Sequence, residues 1–138
     1  MKKKVLFLCT HNSARSQMAE GLLNSVCGDK YEAYSAGSTP TKINPFSIQV
    51  LKDFGIDISK HYSKSTEQFI GKKFEYVVTV CDNAKEMCPF IPGAKNYVHR
   101  EFEDPSRVEG TDNIKLNAFR KSRDEIREWI IEFFCDKN

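Results

Sequence analysis

The sequence predicts an α/β fold in which a single domain, residues 1–138, has a four-stranded parallel sheet flanked by helices. Apolar strand-like segments alternate with helical segments along the chain, as in parallel sheets that are covered on both faces. Residues 5–8 (VLFL) and 76–80 (YVVTV) are the most apolar strands and are therefore expected at the centre. A length of 138 residues, 40% of them hydrophobic, suits one core. The expected strand order is 2-1-3-4.

The first half of the chain predicts two strands and two helices. After the strand at 5–8, apolar residues recur at helical spacing until Gly28, and residues 31–36 alternate as in a half-exposed strand. Asn44 and Pro45 are residue types that cap and begin a helix, and Gly55 is expected to end it. The expected inward-facing residues are Met18, Ala19, Leu22, Leu23 and Val26 in the first helix, and Ile48, Leu51 and Phe54 in the second.

The second half predicts two further strands and a long C-terminal helix. Residues 56–73 are irregular with one short helix, and an apolar strand then covers residues 76–81. A more polar strand, expected at the sheet edge, covers residues 96–100. The final helix has one apolar stripe, which consists of Phe119, Ile126, Trp129, Ile130, Phe133 and Phe134.

The predicted topology brings three chemically active side chains to one crevice. Cys9 and Cys81 end the two central strands, and Asp104 lies in the loop after the fourth strand. In an open parallel sheet, ligands bind beyond the carboxyl ends of the strands, where neighbouring crossovers diverge. We therefore expect Cys9, Cys81 and Asp104 to lie near one another.

A candidate oxyanion site follows the first strand. Cys9 precedes a tight polar turn and a helix N-terminus, where backbone N–H groups and the helix dipole bind anions and favour a thiolate. Asn12 tolerates the left-handed backbone that such a turn needs. Arg15 adds a planar fork of donors for two oxygens of a tetrahedral anion. The candidate oxyanion-binding residues are Thr10, His11, Asn12, Ser13, Ala14, Arg15 and Ser16.

The alternative to a functional loop is ordinary packing. A buried strand often ends in cysteine, and an arginine in the first turn of a helix is often only a solvated charge. The joint spacing Cys-x5-Arg-Ser between a strand and a helix favours a nucleophile next to an anion site. The loop lacks the Gly-x4-Gly-Lys-Ser/Thr pattern of nucleotide-binding loops.

Charge and hydropathy exclude several classes of partner. The net charge of +2 comes from 21 basic and 19 acidic residues spread along the chain, so no nucleic-acid or membrane surface is expected. No apolar segment reaches the roughly 20 residues that span a bilayer. The N-terminus enters a strand and does not resemble a signal peptide. The sequence therefore predicts a cytoplasmic protein.

The five cysteines are expected to be mostly reduced in that compartment, without a structural disulfide framework. Cys27 and Cys135 are expected to be packing residues or partly exposed bystanders. Cys81 and Cys88 flank a polar segment, residues 82–87, and could form a disulfide only if that segment bends. Alternatively, Cys81 fills the core and Cys88 is a surface thiol. No spacing suits a metal, so no metal site is expected.

The sequence resembles the thioredoxin-coupled arsenate reductases built on the low-molecular-weight tyrosine phosphatase fold. The similar segments are residues 9–21 (CTHNSARSQMAEG), 34–37 (YSAG), 55–59 (GIDIS), 77–81 (VVTVC), 88–89 (CP) and 104–105 (DP), and the likeness covers nearly the whole chain. The resemblance implies arsenic detoxification by reduction of arsenate to arsenite. Cys9 would form the arsenic adduct, Cys81 would attack it, and Cys88 would receive the disulfide. Thioredoxin would supply the electrons, no cofactor would be tightly bound, and the chain would be a monomer.

The resemblance also assigns Asp104 as the general acid, whereas Asp-Pro alone is a common turn starter. Phosphatases of this fold typically have aromatic residues after Asp-Pro, but Ser106 and Arg107 follow here. A low-molecular-weight phosphatase is the alternative enzyme, and a catalytically idle oxyanion-binding module is a third class. Glutaredoxin or another dithiol protein could also reduce an exposed disulfide.

Two positions differ from many of these relatives. Ala14 replaces a second cysteine of the anion loop, which leaves Cys81 as the thiol that resolves the adduct. Some relatives hold a monovalent cation through an asparagine, a glutamate, a serine and an aspartate. Asn12, Glu20 and Ser35 match three of these ligands, but Lys64 stands at the fourth position. We expect its ammonium to pair with Glu20 in place of the ion.

Overall fold

Strands and helices alternate along the part of the chain that the computed structural model describes, residues 1–82 and 88–136. The strands are β1 (Lys3–Cys9), β2 (Tyr31–Gly37), β3 (Phe74–Thr79) and β4 (Ala94–His99). The helices are α1 (Arg15–Val26), α2 (Pro45–Lys52) and α3 (Asp112–Ile130). Short 3-10 turns cover Thr66–Phe69 and Pro105–Arg107, and a π-helical turn, Ile131–Cys135, continues α3.

The four strands form one parallel sheet in the order β2-β1-β3-β4. This confirms the predicted fold class, and β1 and β3 are the central strands. The register aligns Leu8 with Thr79 and Cys9 with Gly37, so the ends of these strands lie at one edge of the sheet. The loops that leave this edge carry the candidate site.

The side chains of β1 show why the sheet is covered on both faces. Val5 and Phe7 belong to one core cluster, and Leu6 and Leu8 belong to a second. All four are fully buried, as the alternation of side chains along a central strand requires. The first cluster also contains residues of all three helices. The edge strand β4 is largely exposed, as predicted.

The apolar stripe of the C-terminal helix packs on the sheet. Ile126, Ile130 and Phe134 follow one another at four-residue spacing and are buried. The ring of Phe134 contacts the rings of Phe7 and Tyr31 edge-on. These contacts anchor the end of the helix to β1 and β2.

Two expectations about side chains were wrong. Phe54 does not face inward: α2 ends at Lys52, and Phe54 is 43% exposed beneath the guanidinium of Arg123, which lies 4.0 Å from the ring centroid. Cys27 packs in the core and Cys135 is partly exposed, as expected, but the two are joined in a disulfide, contrary to the expectation of mostly reduced cysteines. Their proximity depends on how the ends of α1 and α3 meet, which local sequence patterns do not reveal.

Candidate active site

Cys9 lies at the junction between the sheet and the candidate anion loop, residues 10–16. It is the last residue of β1, is 2% exposed and is not part of a disulfide. The backbone at Asn12 has a φ of 52°, the left-handed conformation expected of this turn. α1 then begins at Arg15, and its N-cap, Ala14, provides no side-chain hydrogen bond to the helix. The N-terminus of α1 thus lacks the side-chain cap that would compete with a bound anion.

Asn12 holds the loop from within. Its Nδ2 donates to Ser16 Oγ at 2.8 Å, and its Oδ1 accepts from Gln17 Nε2 and from the Lys64 backbone N–H, both at 2.8 Å. Its backbone carbonyl accepts from the Ser63 hydroxyl, also at 2.8 Å. The side chain is fully buried, so this network fixes the left-handed turn.

The segment between β2 and α2 supports the loop from outside. The carbonyl oxygens of Thr10 and His11 accept from the backbone N–H groups of Thr39 and Thr41, at 2.9 and 3.3 Å. The carbonyl of Ser13 accepts from the N–H of Asn44 at 3.0 Å. These carbonyl groups are thereby engaged by the neighbouring loop, which reduces their repulsion of an anion in the turn.

Gly37 permits the close approach of β2 to this loop. A Cβ atom at this position would lie 2.5 Å from the Thr10 carbonyl oxygen and 2.8 Å from the Asn12 backbone nitrogen. Both are backbone atoms of the turn, so the loop would have to move to admit a side chain.

The Cys9 sulfur has a hydroxyl neighbour. Ser16 Oγ lies 2.7 Å from Cys9 Sγ and also accepts from Asn12 Nδ2. Because a hydroxyl has one donor and two acceptor sites, Ser16 can accept from Asn12 and still donate to a thiolate. This arrangement suits a nucleophilic sulfur that must be stabilised as an anion.

Arg15 and Asp104 face each other across the site. Arg15 Nη2 lies 3.4 Å from Asp104 Oδ2, and Nη1 donates to the Phe102 carbonyl at 3.4 Å. Asp104 Oδ1 accepts from the Ser106 N–H at 3.0 Å and from its hydroxyl at 2.6 Å. Arg107 Nε lies 3.8 Å from Asp104 Oδ2. The residues that follow Asp-Pro therefore hold the carboxylate and do not build an aromatic cleft.

A cavity of about 100 Å³ lies at the centre of these groups. Since about 10–15 Å³ of space open to the centre of a water-sized sphere holds one water molecule, the cavity has room for a small tetrahedral anion. Its lining residues are Cys9, His11, Ser13, Ala14, Arg15, Thr41, Asp104 and Ser106. Cys9, Arg15 and Asp104 thus meet at one cavity.

The other candidate residues of the loop lie behind this lining. Thr10, Asn12 and Ser16 are not among the lining residues, and Asn12 and Ser16 act through the hydrogen bonds described above. Sequence reasoning missed Thr41 and Gln17. Thr41 follows the carboxyl end of β2, at the same sheet edge as Cys9. This position in the sequence could have identified Thr41 as a residue of the site.

A charged cluster lies behind the loop around Glu20. Ser35 Oγ donates to Glu20 Oε1 at 2.6 Å, and Lys64 Nζ lies 3.5 Å from the same oxygen. His61 Nδ1 lies 3.5 Å from Glu20 Oε2 and 3.3 Å from Gln17 Oε1. The Lys64 ammonium is thus next to the buried carboxylate. Among the described residues, no group of three or more His, Cys, Asp or Glu side chains could hold a metal ion.

Cys81 and Cys88 are joined in a disulfide with a Cα–Cα distance of 5.9 Å. Cys81 is fully buried just beyond β3, and Cys88 is partly exposed. Because Leu8 is in register with Thr79, Cys81 lies only one residue further along its strand than Cys9 does. Residues 83–87 of the polar segment between the two cysteines lie outside the described part of the chain. The bending that we expect of this segment would fall within these residues.

Within residues 1–82 and 88–136, no helix combines the length and the apolar character needed to cross a bilayer.

Proteins named arsenate reductase are similar to this chain in sequence and in fold. The chain is 45% identical over 132 residues to a protein of Halalkalibacterium halodurans named arsenate reductase, and the match covers 96% of this chain and 95% of the relative. A solved structure described as an arsenate reductase in oxidized state is similar with a TM-score of 0.80, 28% identity and coverage of 96% and 97% of the two chains.

A phosphatase of the same fold is also similar. The low molecular weight protein tyrosine phosphatase of T. tengcongensis has a TM-score of 0.75 and 26% identity, with 99% of this chain and 100% of that chain covered. The fold alone therefore does not separate reductase from phosphatase. Residues 4–137 match the family described as low molecular weight phosphotyrosine protein phosphatase, and the chain belongs to this family.

Proposed function

We propose that this protein reduces arsenate to arsenite in arsenic detoxification, with Cys9 as nucleophile, a relay of Cys9, Cys81 and Cys88, and thioredoxin as the electron donor. The observation that carries the proposal is the Cys81–Cys88 disulfide at the end of the strand that pairs with β1, together with an anion-sized cavity lined by Cys9, which is not in a disulfide. A phosphatase needs the cavity and Cys9 but has no use for the disulfide. The names of the relatives agree with this assignment.

The anion is held by the first turn of α1. The helix N-terminus and the backbone N–H groups of residues 10–16 attract an oxyanion, and the Arg15 guanidinium binds two of its oxygens. Arg15 Nη2 is 3.4 Å from Asp104 Oδ2. An arsenate oxygen bound by this guanidinium would therefore lie close to the Asp104 carboxyl group.

The first chemical step forms the arsenic adduct. The Cys9 thiolate attacks As(V), the S–As bond forms, and one As–O bond breaks as its oxygen is protonated and leaves as water. Asp104 is the proposed acid that protonates the leaving oxygen. The Ser106 N–H and hydroxyl hold its other oxygen and thereby orient it.

The next steps move two electrons. The Cys81 thiolate attacks the Cys9 sulfur, the S–S bond forms, and the electron pair of the S–As bond remains on arsenic, which leaves as arsenite. The Cys88 thiolate then attacks Cys81, so the disulfide becomes Cys81–Cys88 and Cys9 is released as a thiolate. The pairing in this structure matches the state expected after one turnover.

A protein reductant has an accessible approach to this disulfide. Cys88 is partly exposed, and two residues later Phe90 is 71% exposed. The ring of Phe90 stacks on that of Tyr97 with centroids 5.2 Å apart. An exposed aromatic pair next to a disulfide suits docking of a dithiol protein. We propose thioredoxin on the basis of the family resemblance, and that the chain acts as a cytoplasmic monomer.

The decisive experiment measures arsenite formation with thioredoxin, thioredoxin reductase and NADPH. We expect turnover by the wild type and the matched control Cys135→Ser, and none by Cys9→Ser or Cys81→Ser. Replacing thioredoxin with glutaredoxin and glutathione tests the donor. An absence of arsenite, combined with hydrolysis of p-nitrophenyl phosphate that survives Cys81→Ser, would instead identify a phosphatase.

A further inference from the structure

Cys27 and Cys135 form a second disulfide, remote from the candidate active site. Cys27 is the C-cap of α1, and Cys135 ends the π-helical turn after α3. Their Cα atoms are 5.8 Å apart, which is within the usual range for disulfides. The two residues are 108 positions apart in sequence.

Cys27 is too distant to attack Cys9 directly. Cys9 and Arg15 lie near the start of α1, whereas Cys27 follows its end. A helix of 12 residues is about 18 Å long at 1.5 Å per residue. Direct attack of Cys27 on Cys9 is therefore excluded in this fold. The pair thus needs an explanation separate from the proposed arsenate chemistry.

The surrounding structure holds both residues in place. The N–H of Cys27 donates to the Leu23 carbonyl at 3.0 Å, and its carbonyl accepts from the N–H groups of Lys30 and Tyr31, both at 3.1 Å. Phe134, next to Cys135, is buried against Phe7 and Tyr31. Packing that is independent of the S–S bond therefore keeps the two cysteines adjacent, so the bond can open and re-form without rearrangement of the fold.

The two sulfurs differ in access. Cys27 is 3% exposed, whereas Cys135 is partly exposed at the edge of the same core cluster. An external thiol can therefore reach Cys135 more readily than Cys27. Thiol–disulfide exchange requires approach to one sulfur only.

We propose that Cys27 and Cys135 are a second redox couple, which reversibly links the end of α1 to the C-terminal turn through exchange with small thiols and disulfides at Cys135. To close the couple, the Cys135 thiolate attacks a small disulfide and releases one small thiol. The Cys27 thiolate then attacks Cys135 and releases the second. Two electrons pass from the protein to the small disulfide. Two small thiols reverse the process.

Closing the couple stabilises the fold without taking part in turnover. The bond closes a loop of more than one hundred residues, which restricts the unfolded chain. We expect the urea midpoint of the oxidised protein to exceed that of the reduced protein by roughly 1 to 2 M. Arsenate turnover with thioredoxin should be the same for Cys135→Ser as for the wild type.

The test isolates the pair in a variant with Cys9→Ser, Cys81→Ser and Cys88→Ser, which retains only two of the five cysteines. After equilibration with reduced and oxidised glutathione, we expect one intramolecular disulfide, mapped by mass spectrometry, and no free thiol. Iodoacetamide should label Cys135 of the reduced, folded protein faster than Cys27. The matched controls add Cys27→Ser or Cys135→Ser and should show no redox-dependent urea midpoint.

Peptide mapping of the oxidised wild type supplies a second measurement that does not depend on the stability of the triple variant. A peptide that links Cys27 to Cys135 is expected. Two free thiols after equilibration with oxidised glutathione, or equal urea midpoints for the oxidised and reduced forms, would overturn the proposal. Loss of turnover in Cys135→Ser would disprove that the Cys27–Cys135 pair is independent of the active site. None of the disulfide or stability measurements requires arsenate reduction, so they can fail or succeed separately from the proposed function.

Discussion

Ser16 Oγ lies 2.7 Å from Cys9 Sγ, and the same oxygen accepts a hydrogen bond from the Asn12 side chain. Ser16 is fully buried in the first turn of α1, directly after Arg15. The hydroxyl group is therefore held in place by contacts within the fold itself. A donor held in advance at the sulfur is suited to stabilise the Cys9 thiolate, the form of the side chain that attacks.

Ser16→Ala should slow arsenate turnover by roughly 10- to 100-fold, because a hydrogen bond to a charged group contributes about 1.5–3 kcal/mol. The loss should fall mainly on kcat, and alkylation of Cys9 at neutral pH should also slow. Ser25→Ala is the matched control, since Ser25 is on the same helix but exposed. Equal alkylation rates for the two variants would show that Ser16 does not stabilise the thiolate.

Gly37→Ala should weaken anion binding, because its Cβ would lie 2.5 Å from the Thr10 carbonyl oxygen and displace the loop. Overpacking of this kind costs about 1–3 kcal/mol of stability. Calorimetric titration with phosphate or arsenate measures the affinity, and urea unfolding measures the stability.

The control for Gly37 is Gly21→Ala, whose Cβ would meet the Leu51 side chain at 2.9 Å, away from the anion loop. We expect Gly21→Ala to alter stability and to leave anion affinity unchanged. If Gly37→Ala binds phosphate as the wild type does, the close approach of β2 does not position the loop.

Strand order and the position of Cys9 were predictable because both depend on local signals. The apolar character of residues 5–8 and 76–80 identifies central strands, and their carboxyl ends identify the site edge. The Cys27–Cys135 pair was not predictable, because it depends on two helix ends meeting across 108 residues. Gln17 was missed for a related reason: its side chain acts through a hydrogen bond to Asn12, which helical periodicity does not reveal.

Lys64 is proposed to replace a bound cation next to Glu20, and potassium is therefore expected to change activity and melting temperature no more than sodium does. The Lys64 ammonium lies 3.5 Å from Glu20 Oε1, where it already balances the carboxylate. Lys64→Asp should remove this balance, supply the missing acidic ligand and create potassium-specific stabilisation.

The matched control for Lys64 is Lys60→Asp, which makes the same charge change at an exposed position. It should show no preference for potassium over sodium. Clear stabilisation of the wild type by potassium alone would mean that a cation site persists despite Lys64.

The Cys88→Ser variant separates the relay from a two-cysteine mechanism. Cys81 can still attack the Cys9 adduct, so one equivalent of arsenite should be released and the enzyme should stop with a Cys9–Cys81 disulfide. Wild type after a single turnover should instead contain Cys81–Cys88, the pairing in this structure. Rapid alkylation and peptide mapping by mass spectrometry distinguish the two, and Cys135→Ser, which removes a remote thiol, should map as the wild type does at these sites.

Because Cys81 is buried and Cys88 is partly exposed, loss of Cys88 also removes the sulfur that thioredoxin can reach. Sustained thioredoxin-dependent turnover by Cys88→Ser would therefore show that the reductant reaches the Cys9–Cys81 disulfide directly and that the third thiol is dispensable.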